Sequence, residues 1–137
     1  MKRTFQYWIN EEERTFEYDR EAPTIDLSSL KGATEIGSFF LYKCKNITSL
    51  DLSPLKNVKK IGSGFLDGCT ALTSVDLSPL SNVKLIGKWF LYECEGLTSL
   101  DLSPLSKVMI IGDGFLVRCR RLTLTPEQQQ WIKERQI

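Results

Sequence analysis

The segment Asp51-Leu52-Ser53-Pro54-Leu55-Lys56-Asn57-Val58-Lys59-Lys60-Ile61-Gly62-Ser63-Gly64-Phe65-Leu66-Asp67-Gly68-Cys69-Thr70-Ala71-Leu72-Thr73-Ser74-Val75 decides the fold, because its pattern recurs every 25 residues without insertion. Asp26, Asp51, Asp76 and Asp101 open successive copies, and Cys44, Cys69, Cys94 and Cys119 mark one common point in each. A fixed period of this size means stacked supersecondary units rather than one globular core. The positions of Leu52, Leu55, Ile61, Gly62, Phe65, Leu66 and Cys69 are the same in all four copies; Val58 changes only to Ala33 and Leu72 only to Ile47. These positions are the expected core. One copy alone buries too little apolar surface to offset the entropy of ordering it, so each copy needs its neighbours.

Working outward, Leu97-x-x-Leu100-x-Leu102-x-x-Leu105 contains Leu100-Asp101-Leu102, an alternation that predicts a short strand with Leu inward and Asp outward. Such strands side by side make a parallel sheet. Pro54, Pro79 and Pro104 follow at the strand's end, with Ser29 in that place in the first copy. The invariant Gly predicts a tight bend, and Phe-Leu-x-x-Cys has the spacing of one helical or 3₁₀ turn.

The ends differ from the repeat. Thr4 to Ile9 and Arg14 to Tyr18 read as two strands around the polar turn Asn10 to Glu13, with Phe5, Tyr7, Phe16 and Tyr18 on one face. At the other end Thr125-Pro126-Glu127-Gln128 offers an N-cap, Pro at the first helical position and a capping-box Gln, predicting a helix to about Gln136 that lays Trp131 over the last repeat. The expected organisation is one domain, 1–137: an N-terminal hairpin cap (1–25), repeats 26–50, 51–75, 76–100 and 101–124, and a C-terminal helical cap (125–137). The two caps point to a complete small protein.

The stretch Cys-x-x-Leu-Thr-Ser-Leu-Asp-Leu-Ser-Pro-Leu with Ile-Gly-x-x-Phe-Leu-x-x-Cys resembles the BspA-type leucine-rich repeat, over residues 25–122. Leu30, Leu55, Leu80 and Leu105 hold the position where the general leucine-rich pattern has Asn or Cys, a departure that fits the BspA type. The resemblance implies an α/β right-handed solenoid of four 25-residue repeats. Its parallel sheet would lie on the concave face and its short helical or 3₁₀ turns opposite. It also implies protein recognition, in a family spread over bacterial surface proteins, protist proteins and large DNA viruses.

Eighteen Lys plus Arg against seventeen Asp plus Glu leave a formal charge of +1, so no global field draws nucleic acid or an anionic membrane. The apolar residues after Met1-Lys2-Arg3 give way to Asn10-Glu11-Glu12-Glu13 before a signal-peptide core could form, and no stretch approaches the roughly 20 apolar residues of a membrane span. The expectation is a soluble protein without membrane insertion, cytoplasmic by default. Four cysteines, one per copy at steps of about 5 Å, cannot converge on a tetrahedral metal, and stacked side chains point in parallel rather than toward each other. A ladder of buried thiols is expected. The chain has no histidine, and its Ser and Asp residues fall at repeat positions without forming a nucleophile-base-orienter set. A non-catalytic protein without cofactor or metal is expected.

Two sets of residues stand out as partner-binding candidates. The first is the ladder Asp26, Asp51, Asp76 and Asp101, whose like charges repel unless paired or screened. Ser28, Ser53, Ser78 and Ser103, with Ser49, Ser74 and Ser99, are placed to soften that repulsion. This stripe is either a dock for a basic protein segment or a cation, or repeat grammar copied by duplication. The second set is Phe39 and Trp89, where the other copies have Gly64 and Gly114, with Tyr42 and Tyr92, where they have Asp67 and Val117. These aromatics either form an exposed patch or fold over the small residues between them. Arg118, Arg120 and Arg121 are a weaker candidate. The expected function is a protein–protein interaction module presenting a rigid surface to a protein partner. The alternative is a structural subunit or homo-oligomer with the aromatic patch or a solenoid end buried against a neighbour.

Overall fold

The computed structural model describes residues 2–137. Met1, the first residue of the expected cap, lies outside that range. The strands β1 (Lys2–Ile9) and β2 (Glu12–Asp19) are followed by four two-residue strands, β3 (Glu35–Ile36), β4 (Lys60–Ile61), β5 (Leu85–Ile86) and β6 (Ile110–Ile111), and by the helix α1 (Pro126–Arg135). All six strands join one sheet in the order β2-β1-β3-β4-β5-β6. From β3 to β6 the pairing is parallel, with Ile36, Ile61, Ile86 and Ile111 in register.

The strands lie at a different place in the copy than Leu100-Asp101-Leu102 suggested. That segment instead leads into a 3₁₀ turn in every rung, at Ser28–Leu30, Ser53–Leu55, Ser78–Leu80 and Ser103–Leu105. Pro54, Pro79 and Pro104 sit in the first positions of these turns, where a missing N–H leaves no intrahelical bond unmade. The sheet is built from the next extended piece, which ends in the invariant β-branched Ile.

A second difference concerns Phe-Leu-x-x-Cys. No helical turn forms there; alternate residues take positive φ, at Phe39, Leu41 and Lys43 in the first rung, Gly64, Leu66 and Gly68 in the second, Trp89, Leu91 and Glu93 in the third, and Gly114, Leu116 and Arg118 in the fourth. The reason is where the backbone groups find partners. Phe39 N–H donates to Ser63 O at 2.7 Å, Lys43 N–H to Asp67 O at 2.7 Å, and Leu66 N–H to Phe40 O at 2.9 Å, with the same pattern one rung on. A helix would use these groups internally, whereas here they bind rung to rung.

Gly37, Gly62, Gly87 and Gly112 also do a different job from the expected bend. A Cβ on Gly87 would lie 2.7 Å from Ser63 N and 2.8 Å from Gly62 C, and Gly62 and Gly112 meet the preceding rung equally closely. These residues are glycine because the backbones of successive rungs touch. The adjoining Ile column and the Phe column then pack without a gap. Phe40, Phe65, Phe90 and Phe115 stack with centroids 4.5, 5.1 and 5.0 Å apart and rings within 9° of parallel.

Both ends extend this core. Asn10 and Glu11 have φ of 49° and 73°, the conformation of a two-residue turn whose twist suits a hairpin. The hairpin buries Phe5, Tyr7, Phe16 and Tyr18 on one face. β1 runs antiparallel beside β3 with Tyr7 opposite Ile36, and Phe5 reaches Phe40 at 4.9 Å. At the far end Thr125 and Gln128 form the reciprocal capping box, and Trp131 packs 5.8 Å from Phe115. Arg135 Nε donates to Val108 O at 3.0 Å, fastening α1 to the last rung. Among the described residues no helix is long and apolar enough to cross a membrane.

Gly87→Ala forces two rungs apart and is expected to lower stability by about 1–3 kcal/mol, the usual range for overpacking; urea unfolding of both proteins checks this.

Candidate functional site

The four Asp side chains stand at the entry to the 3₁₀ turns, not on the sheet. Each Oδ1 accepts a hydrogen bond from the backbone N–H two residues on, at Ser28, Ser53, Ser78 and Ser103, always at 2.9 Å. Ser78 Oγ adds a donor to Asp76 at 2.6 Å. These are Asx turns, in which the carboxylate mimics a backbone acceptor. The main cause of the lowered pKa is the hydrogen bond from the Ser backbone N–H for Asp26, Asp51 and Asp101, and that from the Ser78 side chain for Asp76. Repulsion between neighbours enters only for Asp101, from Asp76, as a minor effect. The residues that the sheet turns outward are instead Glu35, Lys60, Leu85 and Ile110.

The cysteines form a buried column of free thiols. Cys69, Cys94 and Cys119 donate their S–H to the carbonyls of Leu41, Leu66 and Leu91 on the preceding rung, at 3.2, 3.1 and 3.0 Å. Burial pushes the Cys44 and Cys119 thiols up to about 12 and about 11, and raises Cys69 and Cys94 as well. The thiols therefore act as small core groups that also satisfy carbonyls of the positive-φ run.

The aromatics combine both roles that the sequence allowed. Phe39 and Trp89 each hold positive φ, of 67° and 61°, a strained conformation for a bulky side chain. Their rings lie over the glycine of the following rung: a Cβ on Gly64 would be 2.8 Å from Phe39 Cδ1, and one on Gly114 would be 2.5 Å from Trp89 Cδ1. Yet 46% of Phe39 and 39% of Trp89 remain exposed. Phe39 meets Tyr42 edge to face at 5.3 Å.

Between the first and third rungs these four side chains wall a cleft of about 320 Å³ whose fifth lining residue is Asp67. Sequence reasoning treated Asp67 only as the small alternative to Tyr42 and Tyr92. The one signal was an acid in a column that otherwise reads Tyr42, Tyr92, Val117. Asp67 is just 8% exposed, and among the described residues no hydrogen-bond donor and no ion pair reaches its carboxylate. Loss of water, reinforced by Glu93 and opposed by Lys43, pushes its carboxyl up to about 6. Lys43 Nζ lies over the Tyr42 ring, 5.3 Å from its centroid. Glu93 is paired with Arg118 at 3.4 Å, and Arg118 also donates to Tyr92 Oη at 3.4 Å. Arg120 similarly lies 3.8 Å from Glu95, so two of the three arginines of the last rung face acids of the third.

With this geometry in place, a family model described as the BspA type leucine rich repeat region (6 copies) matches residues 11–125. No curated protein and no solved structure gives a significant match.

Three outcomes are expected from these ladders. Asp51→Asn keeps an oxygen acceptor for Ser53 N–H and should unfold near the wild-type midpoint, whereas Asp51→Ala should unfold earlier. Because the folded pKa values of the Asp ladder are lowered, its stabilisation is present above the ordinary value of 3.8 and is lost as the pH falls below it, which acid titration by circular dichroism would follow. The thiols should resist an aromatic disulfide reagent in the native state, all four reacting in denaturant, and Cys119, the most exposed of the column, reacting first as denaturant rises.

Proposed function

The chain belongs to the BspA-type leucine-rich-repeat family, and on that premise we propose that it is a non-catalytic protein-recognition module. Repeats of this family generally mediate protein–protein interaction. In this reading residues 1–137 form one domain, a right-handed solenoid of four 25-residue repeats with the sheet on its concave face. The observation that carries the reading is the pair Phe39 and Trp89. Large exposed aromatics held at strained φ on a backbone hydrogen-bonded rung to rung form a pre-organised surface, and such side chains anchor interfaces because little entropy remains to be lost on binding. Tyr42 and Tyr92 complete that surface. The Asp26, Asp51, Asp76 and Asp101 stripe is a secondary candidate, since its carboxylates stay exposed while one oxygen of each is engaged in a turn.

A second reading has its own support. The exposed apolar residues Met109, Ile110 and Val117 all fall in the last rung, with Ile137 at the chain's end. A structural role would bury this end against another copy.

Light scattering coupled to size exclusion separates the two. A monomer across micromolar concentrations is expected, while a stable dimer that Met109→Ser with Ile110→Ser dissociates would favour the structural reading. For recognition, a specific partner captured by the wild-type chain should be lost from the variant carrying Phe39→Ser, Tyr42→Ser, Trp89→Ser and Tyr92→Ser, provided that the variant still unfolds cooperatively. Undiminished capture would move the site to the Asp stripe or the sheet.

A further inference from the structure

Asp67 is out of place by every rule of the repeat. Its column is occupied by Tyr42, Tyr92 and Val117 in the other rungs, so the fold accepts an aromatic or apolar side chain there. The residue is nine-tenths buried and, among the described residues, no donor reaches its carboxylate, whose oxygens keep an opening to solvent; its charge is therefore poorly hydrated and an incoming cation would stabilise it. Lys43, from the first rung, acts on the acid only at a distance: its Nζ lies over the Tyr42 ring and forms no ion pair with Asp67 among the described residues. Arg118, from the fourth rung, is held by Glu93 and Tyr92. The carboxylate thus opens into a cleft walled by four aromatic rings, whose faces attract cations.

Resting on the recognition reading, we propose that this cleft seats one lysine or arginine side chain of a protein partner, its alkyl stem between Phe39, Tyr42, Trp89 and Tyr92 and its N–H donors on the Asp67 carboxylate. The chemistry disfavours the other occupants. An anion would meet Asp67 and Glu93, and an apolar side chain would leave the carboxylate buried and unpaired. A quaternary ammonium would satisfy the rings but has no N–H to give the acid. The volume, at the lower end of the range for small-molecule sites, suits one long side chain rather than a stretch of peptide. Ionisation of Asp67 is required, so affinity should depend on pH. The charged and titratable groups facing it are Tyr42 and Lys43 from the first rung and Tyr92 and Glu93 from the third, with Arg118 behind Glu93.

The test is a titration of the full chain, shown to be monomeric, with the N-acetyl N-methylamides of lysine, arginine, trimethyl-lysine and norleucine, following the Trp89 indole N–H by NMR. Lysine and arginine are expected to bind in the millimolar range, and trimethyl-lysine and norleucine about tenfold or more weakly, one hydrogen-bonded charge contact being worth at least that factor. Lysine affinity should fall by about tenfold per pH unit below about 6, as Asp67 takes up its proton. Asp67→Asn should abolish the preference for lysine over norleucine. It should also raise the melting midpoint at neutral pH but not at acid pH, because an acid with a raised folded pKa weakens the fold as the pH climbs past its unfolded value. Equal binding of norleucine and lysine would overturn the proposal, as would a lower midpoint for Asp67→Asn at neutral pH. So would probe binding seen only in Lys43→Met, which would make Lys43 the resident cation. Absence of probe binding by a monomer that still captures its partner would remove this site and leave the recognition reading standing. A stable dimer with the Trp89 indole buried would remove both.

Discussion

Backbone contact between successive rungs is the constraint from which the rest of this molecule follows. At Gly62, Gly87 and Gly112 the chain lies so close to the rung before it that no side-chain carbon fits, and this approach lets the short parallel strands pair and the Phe column stack at about 5 Å. Once that distance is fixed, every other position on the rung has a counterpart one step away with which it must come to terms. Leu and Ile do so by packing, Cys by donating a hydrogen bond to a carbonyl, and Asp by turning back to its own backbone. The caps obey the same constraint, since the hairpin and α1 each bring an aromatic side chain, Phe5 and Trp131, to the open ends of the Phe column.

Much of this was legible in the residues themselves. Identity at seven positions in four copies marks the buried columns without any knowledge of secondary structure, because only burial demands the same shape at each step. The hairpin and the helix were readable from local rules, in the alternation of Phe5, Tyr7, Phe16 and Tyr18 and in the pairing of Thr125 with Gln128. The arrangement around the rung was less legible. Leu100-Asp101-Leu102 alternates like a strand, yet Asp can close a turn as readily as it can face water, and the following Ser-Pro decides in favour of the turn. Nor do Phe40-Leu41 and Cys44 spell helix, because backbone groups bonded to a neighbouring rung escape the local spacing rules. Spacing shows which residues share a face, not where their amides find acceptors.

The functional surfaces were legible in proportion to how far they break the pattern. Phe39, Tyr42, Trp89 and Tyr92 were visible as departures from glycine, aspartate and valine. Asp67 was not, because its distinction lies in burial without a partner, a property of the space between rungs that no single copy records. The Asp ladder presents the opposite case. It was conspicuous as a row of like charges, and the structure gives it an ordinary reason to exist in the turn that each carboxylate closes.

The rings of Phe39 and Trp89, each resting on a glycine one rung later, divide the rungs into two kinds, and a bulky rung cannot directly follow another. A bulky rung placed directly after another would push a Cβ into the ring before it. Loss of the glycine rung between two bulky ones, or duplication of a bulky rung alone, would bring two such rungs together, whereas loss or tandem duplication of an adjacent pair keeps them apart. A couplet of one bulky and one glycine rung is therefore a unit that can be repeated in tandem without setting one aromatic rung against another.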